Sequence, residues 1–229
     1  MTHFYLYICL LACFIIIMAY YNTYIAQINK DPFQTNDSKA SVILLGDSIL
    51  KNNSYVSNKK SVEHLLKAKS DDDCYNYAED GAVITDCYNQ LDNIPLSLNN
   101  ANTTIYVSVG GNDIIEYYIK QLHSTKNTYA LTKMFNSYKK LIKSIQDRIY
   151  LCRLVLLDIY YPTEPYYRQY YSIIYKWNKM ITQYAANPQN KITSVLKVSK
   201  ILNNKNDFVF AVEPSEKGGE KIVNLILND

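Results

Sequence analysis

The stretch from Ser41 to Leu50 constrains the fold more than any other part of this chain. It reads Ser-Val-Ile-Leu-Leu and then Gly-Asp-Ser, so an apolar run of strand length ends at residues that favour a turn. We expect Ser48 to follow a buried strand in a tight turn and to open the next helix. In open α/β sheets ligands bind at this carboxyl edge, which makes Ser48 the first candidate nucleophile. Gly-Asp-Ser is also ordinary turn and helix-cap chemistry.

Apolar strands and one-sided helices alternate along the rest of the chain, which predicts an α/β fold with a central parallel sheet of about five strands. The helix near residues 129–149, for example, carries Leu131, Phe135, Tyr138 and Ile142 at helical spacing. The other predicted strands are Cys74–Ala78, Ile105–Val109, Leu154–Asp158 and Ile192–Val198. The other predicted helices are Ser61–Lys69, Thr85–Leu98, Tyr170–Tyr184 and Lys217–Leu227. Residues 41–229 are therefore expected to form one domain.

Charge and cysteine usage exclude several classes of function. The chain has 24 Lys and Arg against 21 Asp and Glu, a net charge of +3, so no excess of charge points to nucleic acid. The five cysteines do not suggest a disulfide scaffold in a domain of this size. Cys74 and Cys87 could pair in an oxidising compartment, but buried free thiols are the expectation. No Cys/His spacing resembles a metal site, and we expect no metal and no cofactor.

The N-terminal region carries a long apolar segment. Residues 4–21 contain no charged side chain, and the uncharged stretch continues to Asn29, a length close to that of a helix across a bilayer. The chain lacks the basic start and the small-residue cleavage pattern of a secretory signal. We therefore expect residues 1–29 to form an uncleaved single-pass membrane anchor, with residues 30–40 as a linker. The flanking charges do not indicate which side of the membrane the domain occupies.

Three loops at predicted strand ends carry groups suited to acyl transfer. The first holds Ser48, the second holds Gly81, and the third is Gly110-Gly111-Asn112-Asp113. Acyl transfer requires a nucleophile that faces preorganised hydrogen-bond donors for the oxyanion. The backbone amides of Ser48 and Gly81 and the side-chain amide of Asn112 would supply three such donors.

At these blocks the chain resembles the SGNH (GDSL-type) hydrolase superfamily. The matches are Gly46-Asp47-Ser48, Gly81 in an Asn-x-Ala-x-x-Gly block, Gly110-Gly111-Asn112-Asp113, and Pro214-Ser215-x-x-Gly218 before a helix, all in the family's order. The resemblance covers about Lys39 to the C-terminus. It implies a flavodoxin-like α/β/α sandwich, Ser48 as the nucleophile, and Ser48, Gly81 and Asn112 as the oxyanion hole.

The chain departs from the family in the last block. The family pattern is Asp-x-x-His-Pro-Ser, in which the histidine is the general base and the aspartate orients it. Here Glu213 stands in the place of the histidine and Phe210 in the place of the aspartate. The chain has three histidines, His3, His64 and His123, and none lies near this block.

A carboxylate is a weaker base than imidazole but can be tuned. A free glutamate has a pKa about two units below that of histidine, and burial can raise it toward neutrality. Glu213 is therefore a candidate base for Ser48, or simply an acidic residue at the entry of the next helix. Asp207 is a possible substitute partner, a loop acid or a helix-flanking residue, whereas Asp47 and Asp113 are expected to hold their loops.

Two functions of different classes follow from these residues. The first is a membrane-anchored esterase or acyl/acetyl-ester hydrolase in which Ser48 attacks and Glu213 replaces the usual base. The second is an inactive SGNH-fold protein that binds an ester, a glycan or a lipid without turnover. Both take a small-molecule, glycan or lipid ester as ligand. A phosphate or nucleotide binder is disfavoured because no Gly-rich phosphate loop is present.

Overall fold

A five-stranded parallel sheet forms the centre of the domain. The computed structural model describes Met18, residues 40–120 and residues 127–229, without the side chains of 117–120 and 127–129. The strands are β1 Ser41–Gly46, β2 Asp73–Asn76, β3 Thr103–Ser108, β4 Arg153–Leu157 and β5 Ser194–Leu196. Their order in the sheet is β2-β1-β3-β4-β5, and all neighbouring strands are parallel. This order brings the ends of β1 and β3 side by side.

Helices cover both faces of this sheet. They are α1 Val62–Lys69, α2 Cys87–Asp92, α3 Gly111–Lys120, α4 Asn127–Arg148, α5 Tyr171–Ala186, α6 Val198–Ile201 and α7 Glu216–Leu227. Alternate strand residues enter two separate cores, because successive side chains of a strand point to opposite faces. Ile43 and Leu45 pack in one core with Trp177 of α5, and Leu44 packs in the other with Ile222 of α7. The predicted α/β class and five-stranded parallel sheet are confirmed.

Several element bounds differ from the sequence predictions. The helix predicted over Thr85–Leu98 is shorter, since α2 ends at Asp92 and Pro95, which lacks an N–H, precedes a 3₁₀ turn at Leu96–Leu98. Helix α3 was not predicted, because it starts at a glycine where the sequence favours a loop. Ser48 does not open a helix. It lies in a single turn, in which the amides of Leu50 and Lys51 both donate to the Asp47 carbonyl.

A small antiparallel hairpin near the C-terminus was also not predicted. It pairs β6 Phe208–Val209 with β7 Glu213–Pro214, and a three-residue tip joins the two strands. Strands of two residues are too short to produce a periodic signal in a sequence. This hairpin carries Glu213, so it decides where the candidate base lies.

The chain divides into two compact units, Met1–Ser38 and Lys39–Asp229. The predicted membrane anchor, residues 1–29, lies outside the described residues except for Met18. Among the residues that the structure describes, no helix is long and apolar enough to cross a membrane. Cys74, Cys87 and Cys152 are free thiols in the second unit.

Candidate active site

The turn that carries Ser48 is attached to the neighbouring strand. The Asp47 amide donates to the Ser108 carbonyl at the end of β3, at 2.9 Å, and the Ser48 side chain is buried. Gly46, directly before the turn, has φ +133°, and a Cβ built there would lie 1.7 Å from the Ser108 carbonyl oxygen. Only glycine allows β1 to come this close to β3 before the chain turns.

A buried glutamine also supports this turn. The Gln90 side chain accepts from the Gly46 amide and donates to the Gly46 carbonyl, both at 2.8 Å. Its amide thereby satisfies both backbone groups of a residue at the end of the sheet. Sequence reasoning missed Gln90, because a glutamine inside a short helix has no local signal of such a contact.

Two of the predicted oxyanion donors line one cavity. Ser48 and Asn112 both border it, and no described residue accepts a hydrogen bond from the Ser48 amide. The Asn112 side-chain amide donates to the Ala82 carbonyl at 3.0 Å. An amide NH₂ has two hydrogens, so the second is free for a ligand. The backbone at Ser48 and the side chain of Asn112 can therefore both donate to an oxyanion.

Gly81 is placed beside this pair but does not line the cavity. It precedes Ala82, the residue that binds Asn112, and it has φ +74° and an exposed position. No described residue accepts a hydrogen bond from its amide. The structure thus keeps this N–H available next to Asn112, and its role in an oxyanion hole stays a prediction.

The cavity is narrow, with a volume of about 60 Å³. Its polar lining residues are Asp47, Ser48, Ser108, Asn112, Asp158 and Glu213. Its apolar wall includes Ile114, Ile159, Pro162, Tyr167, Tyr170 and Ile174. The Ser48 hydroxyl thus shares this cavity with other polar groups and with apolar side chains, which suits a ligand with a carbonyl group and a small apolar part.

Glu213 reaches the same cavity as Ser48. Its side chain is half-buried, and burial raises the pKa of the carboxyl group, while the nearby Ser48 hydroxyl has a smaller opposing effect. The charge of Asp80 also raises this pKa. The Oε2 atom of Glu213 is buried and has no hydrogen-bond partner among the described residues. The structure therefore brings together the predicted nucleophile and the predicted base.

Two contacts hold the segment that carries Glu213. The Asn52 side chain donates to the Pro214 carbonyl at 3.4 Å and accepts from the Val62 amide at 2.8 Å. The Tyr160 hydroxyl donates to the carbonyl of Val212. Asn52 is fully buried, so both of its hydrogen bonds are shielded from water. Sequence reasoning missed Asn52 as well, since its partners lie far from it along the chain.

Phe210, which stands at the position of the family's aspartate, does not reach the cavity. Phe210 lies at the hairpin tip with φ +47°, is 73% exposed, and packs edge-on against Tyr55 with 6.2 Å between ring centroids. Ala211 beside it has φ +72°. A side chain so exposed cannot orient a base inside the cavity.

Asp47 and Asp113 hold the loops around Ser48 and Asn112. The Asp47 carboxylate accepts from the Ile49 amide and the Ser108 hydroxyl, while burial, the larger effect, raises its pKa to about 7. The Asp113 carboxylate accepts from the Ile84 amide, and burial raises its pKa to about 6. Asp47 lines the cavity and Asp113 does not.

The structure does not bring Asp207 to the cavity. Its carboxylate accepts from Lys221 Nζ at 2.8 Å and from the amides of Asn203 and Asn204. Burial alone would raise the pKa of Asp207, but these hydrogen bonds outweigh it and lower the pKa below the ordinary value. Asp207 therefore joins its loop to α7, and the structure does not bring it together with Ser48 and Glu213.

Replacing Asp207 by asparagine is expected to lower the free energy of unfolding by about 2–3 kcal/mol, since Lys221 loses a buried partner but keeps some contact with water. The folded pKa lies below the unfolded one. The contribution is therefore complete above about pH 4 and lost as pH falls through the folded pKa. Urea unfolding at pH 7 and at pH 3 measures both effects. An equal difference between the two proteins at both pH values would contradict this role.

The described histidine does not replace the missing base. His64 lies on α1, where its ring Nδ1 is 2.7 Å from the hydroxyl of Ser61, the residue that caps this helix. It does not line the cavity. His3 and His123 lie outside the described residues. Glu213 thus stays the predicted base, and it borders the cavity that Ser48 lines.

Comparisons with known proteins identify the fold. No protein-family model and no curated protein sequence matches this chain. A member of the lipolytic protein G-D-S-L family from Veillonella parvula has a similar structure, with TM-score 0.63, 17% identity, and coverage of 82% of this chain and 96% of that chain. A GDSL-like lipase from Bacteroides thetaiotaomicron is also similar, with TM-score 0.62, 15% identity, and coverage of 90% of this chain and 95% of that chain.

The psychrotrophic esterase EstA from Pseudoalteromonas sp., in a structure inhibited by monoethylphosphonate, is also similar. Its TM-score is 0.60 at 17% identity, and the match covers 83% of this chain and 96% of that chain. All three proteins are thus matched over nearly their whole length. Lys39–Asp229 therefore has the fold of the SGNH (GDSL-type) hydrolases, which its sequence blocks resemble.

Proposed function

We propose that this protein is a serine ester hydrolase of the SGNH type, with Ser48 as nucleophile and Glu213 as its base. The observation that carries the proposal is the shared cavity in which the Ser48 hydroxyl meets the Glu213 carboxylate beside free amide donors. The fold shared with esterases and a lipase supports ester hydrolysis as the reaction class.

In the proposed reaction the Ser48 oxygen attacks the ester carbonyl carbon while Glu213 takes the hydroxyl proton. Negative charge that develops on the carbonyl oxygen is stabilised by the amides of Ser48 and Gly81 and by Asn112. The tetrahedral intermediate then expels the alcohol and leaves an acyl-serine, which water hydrolyses. Raising the pKa of Glu213 brings it nearer to the range in which a carboxylate acts efficiently as a base at neutral pH.

We further propose that the acyl group is short. The narrow cavity of about 60 Å³ holds only a few water-sized groups, and its wall is apolar. An acetyl group fits such a space better than a long acyl chain. An acetyl xylan esterase is among the solved structures with this fold, which supports the same size class.

The alternative of a binding protein without turnover rests on a specific observation. Phe210 replaces the orienting aspartate, and Glu213 Oε2 has no hydrogen-bond partner in the described part of the chain. A base whose orientation is not fixed by a hydrogen bond accepts the serine proton less efficiently. Such a protein would bind an ester without attacking it.

Labelling with a fluorophosphonate probe tests the proposal. The full-length chain in detergent is expected to react covalently between pH 5 and 9, and Ser48→Ala is expected to abolish the reaction. Release of acetate from acetyl esters then tests turnover. A folded chain that is not labelled at any pH would refute an activated serine and favour the binding protein.

Membrane anchoring of this enzyme by residues 1–29 is also part of the proposal. It is supported by the length of the uncharged segment before Lys30. Extraction of membranes with alkaline carbonate is expected to leave the full-length chain in the pellet and to release a variant that begins at Lys39. Release of both forms would contradict the anchor.

A further inference from the structure

Two carboxyl groups besides that of Glu213 border the cavity, those of Asp47 and Asp158. Both oxygens of Asp158 already accept hydrogen bonds from Ser199, so Asp47 is the one left for a further role. Asp47 is 4% exposed and lines the cavity from the turn after β1. A structural acid in a turn has no need to face a ligand cavity. The position of Asp47 therefore raises the question of what its second oxygen does.

The two oxygens of Asp47 have different surroundings. Oδ1 accepts both hydrogen bonds, from the Ser108 hydroxyl at 3.0 Å and from the Ile49 amide at 3.2 Å. No described residue donates a hydrogen bond to Oδ2. This atom lies beside Gly111, another residue of the cavity, since a Cβ built on Gly111 would be 4.0 Å from it. A proton on this carboxyl group would therefore be carried by Oδ2.

The charged surroundings favour a protonated Asp47. Burial is the largest cause that raises the pKa of Asp47, and the charges of Glu213 on β7 and Asp113 on α3 add smaller effects in the same direction. Burial raises the pKa of the Cys87 thiol of α2 and of the Tyr160 hydroxyl, and the charge of Asp47 adds a smaller effect to both. These causes combine to raise the pKa of Asp47 to about 7.

We propose that Asp47 is a second catalytic acid of this site, which donates the proton on Oδ2 to the oxygen of the leaving alcohol. The inference rests on the proposed ester hydrolysis. No histidine lies among the described residues that line the cavity. Two carboxyl groups would then share the acid and base roles that one imidazole can fill alone. Glu213 begins the cycle ionised and Asp47 begins it protonated.

Protons are conserved over the catalytic cycle. Glu213 takes the Ser48 proton as the Ser48 oxygen bonds to the acyl carbon. The bond between that carbon and the alcohol oxygen then breaks, and the oxygen receives the Asp47 proton. In the second half, Asp47 takes a proton from the attacking water as its oxygen bonds to the acyl carbon. The acyl–Ser48 bond breaks, and Glu213 returns a proton to the serine.

Leaving-group dependence in the full-length chain tests this assignment. Asp47→Asn keeps the acceptor for Ser108 and Ile49 but cannot donate a carboxyl proton. With p-nitrophenyl acetate, whose leaving group needs no proton, we expect the acylation burst to stay close to that of the wild type while steady turnover falls. With ethyl acetate, we expect acylation to fall about 10²-fold or more.

The pH profile provides a second readout. For ethyl acetate the wild-type rate is expected to decline as pH rises through about 7, because Asp47 must be protonated to donate. The Asp47→Asn variant is expected to lose this decline. A structural role for Asp47 would change the rate with both substrates equally and would leave the decline in place.

Asp113→Asn is the matched control, since Asp113 is also a buried acid of this region but does not line the cavity. This variant is expected to change the acylation rates with p-nitrophenyl acetate and with ethyl acetate by the same factor. The assignment is overturned if Asp47→Asn lowers the acylation rates with both substrates equally, or lowers neither rate. A wild-type chain that is not labelled by a fluorophosphonate would refute the proposed ester hydrolysis itself. That result is distinct from a failure of the Asp47 assignment, in which the wild type is labelled.

Discussion

Glu213→Gln is expected to lower kcat/KM for a short acyl ester by about 10²–10⁴-fold, which is the usual contribution of a general base. Glutamine keeps the size of the side chain and an oxygen that can face the Ser48 hydroxyl, but it accepts a proton poorly. KM should change little, because the cavity wall that binds the acyl group is untouched. Steady-state kinetics with acetyl esters measures both parameters.

The pH dependence of wild-type activity also tests whether Glu213 is the base. Glu213 must be ionised to accept a proton, so activity is expected to fall as pH drops through its pKa, which burial raises above the ordinary value. In the Glu213→Gln variant this acidic limb should disappear.

Glu216→Gln is a suitable control, since Glu216 is an acid at the start of α7 that accepts from the Ser57 amide and does not line the cavity. It should keep the wild-type acidic limb. If Glu213→Gln kept both the wild-type rate and the limb, Glu213 would not be the base.

Gly46→Ala is expected to prevent folding, with a loss of more than about 4 kcal/mol of unfolding free energy. The new Cβ would lie 1.7 Å from the Ser108 carbonyl oxygen, and that carbonyl already accepts from Asp47. Both backbones belong to central strands of the sheet and cannot move apart without breaking their pairing. The positive φ of Gly46 adds strain.

Gly81→Ala separates the two causes of this loss. Gly81 also has a positive φ, but a Cβ built there has no atom within 4 Å. We expect this variant to fold and to lose only about 1–2 kcal/mol, the cost of a left-handed backbone. Urea unfolding and the yield of soluble protein measure both variants. Equal losses in the two proteins would show that the collision with Ser108 does not matter.

Local sequence was sufficient to predict the sheet and much of the site. The apolar run before Gly46 predicted β1, and helical spacing predicted α4 and α5. These signals are strong because each element presents a long, regular apolar pattern. The order of blocks around Ser48, Gly81 and Asn112 also indicated which loops meet, because parallel strands end at one edge of a sheet.

The same reasoning failed where a residue's role depends on distant partners. Gln90 and Asn52 hold the turn of Ser48 and the strand of Glu213 through contacts across the domain, and neither has a local pattern. Asp207 is a candidate by sequence because it lies near Glu213 along the chain, but in the structure its carboxylate accepts a hydrogen bond from Lys221. Nearness in sequence does not indicate which way a loop side chain points.

By itself, then, the sequence of this protein determined its α/β class and its parallel sheet and indicated Ser48 as the candidate nucleophile, because these depend on periodicity and on short turn motifs. Only the tertiary structure decided that Glu213 meets Ser48 in a narrow cavity, that Asp47 faces the same cavity, and that Asp207 does not. Burial and the approach of segments far apart in the chain govern these facts, and they set the pKa values that the proposed chemistry needs.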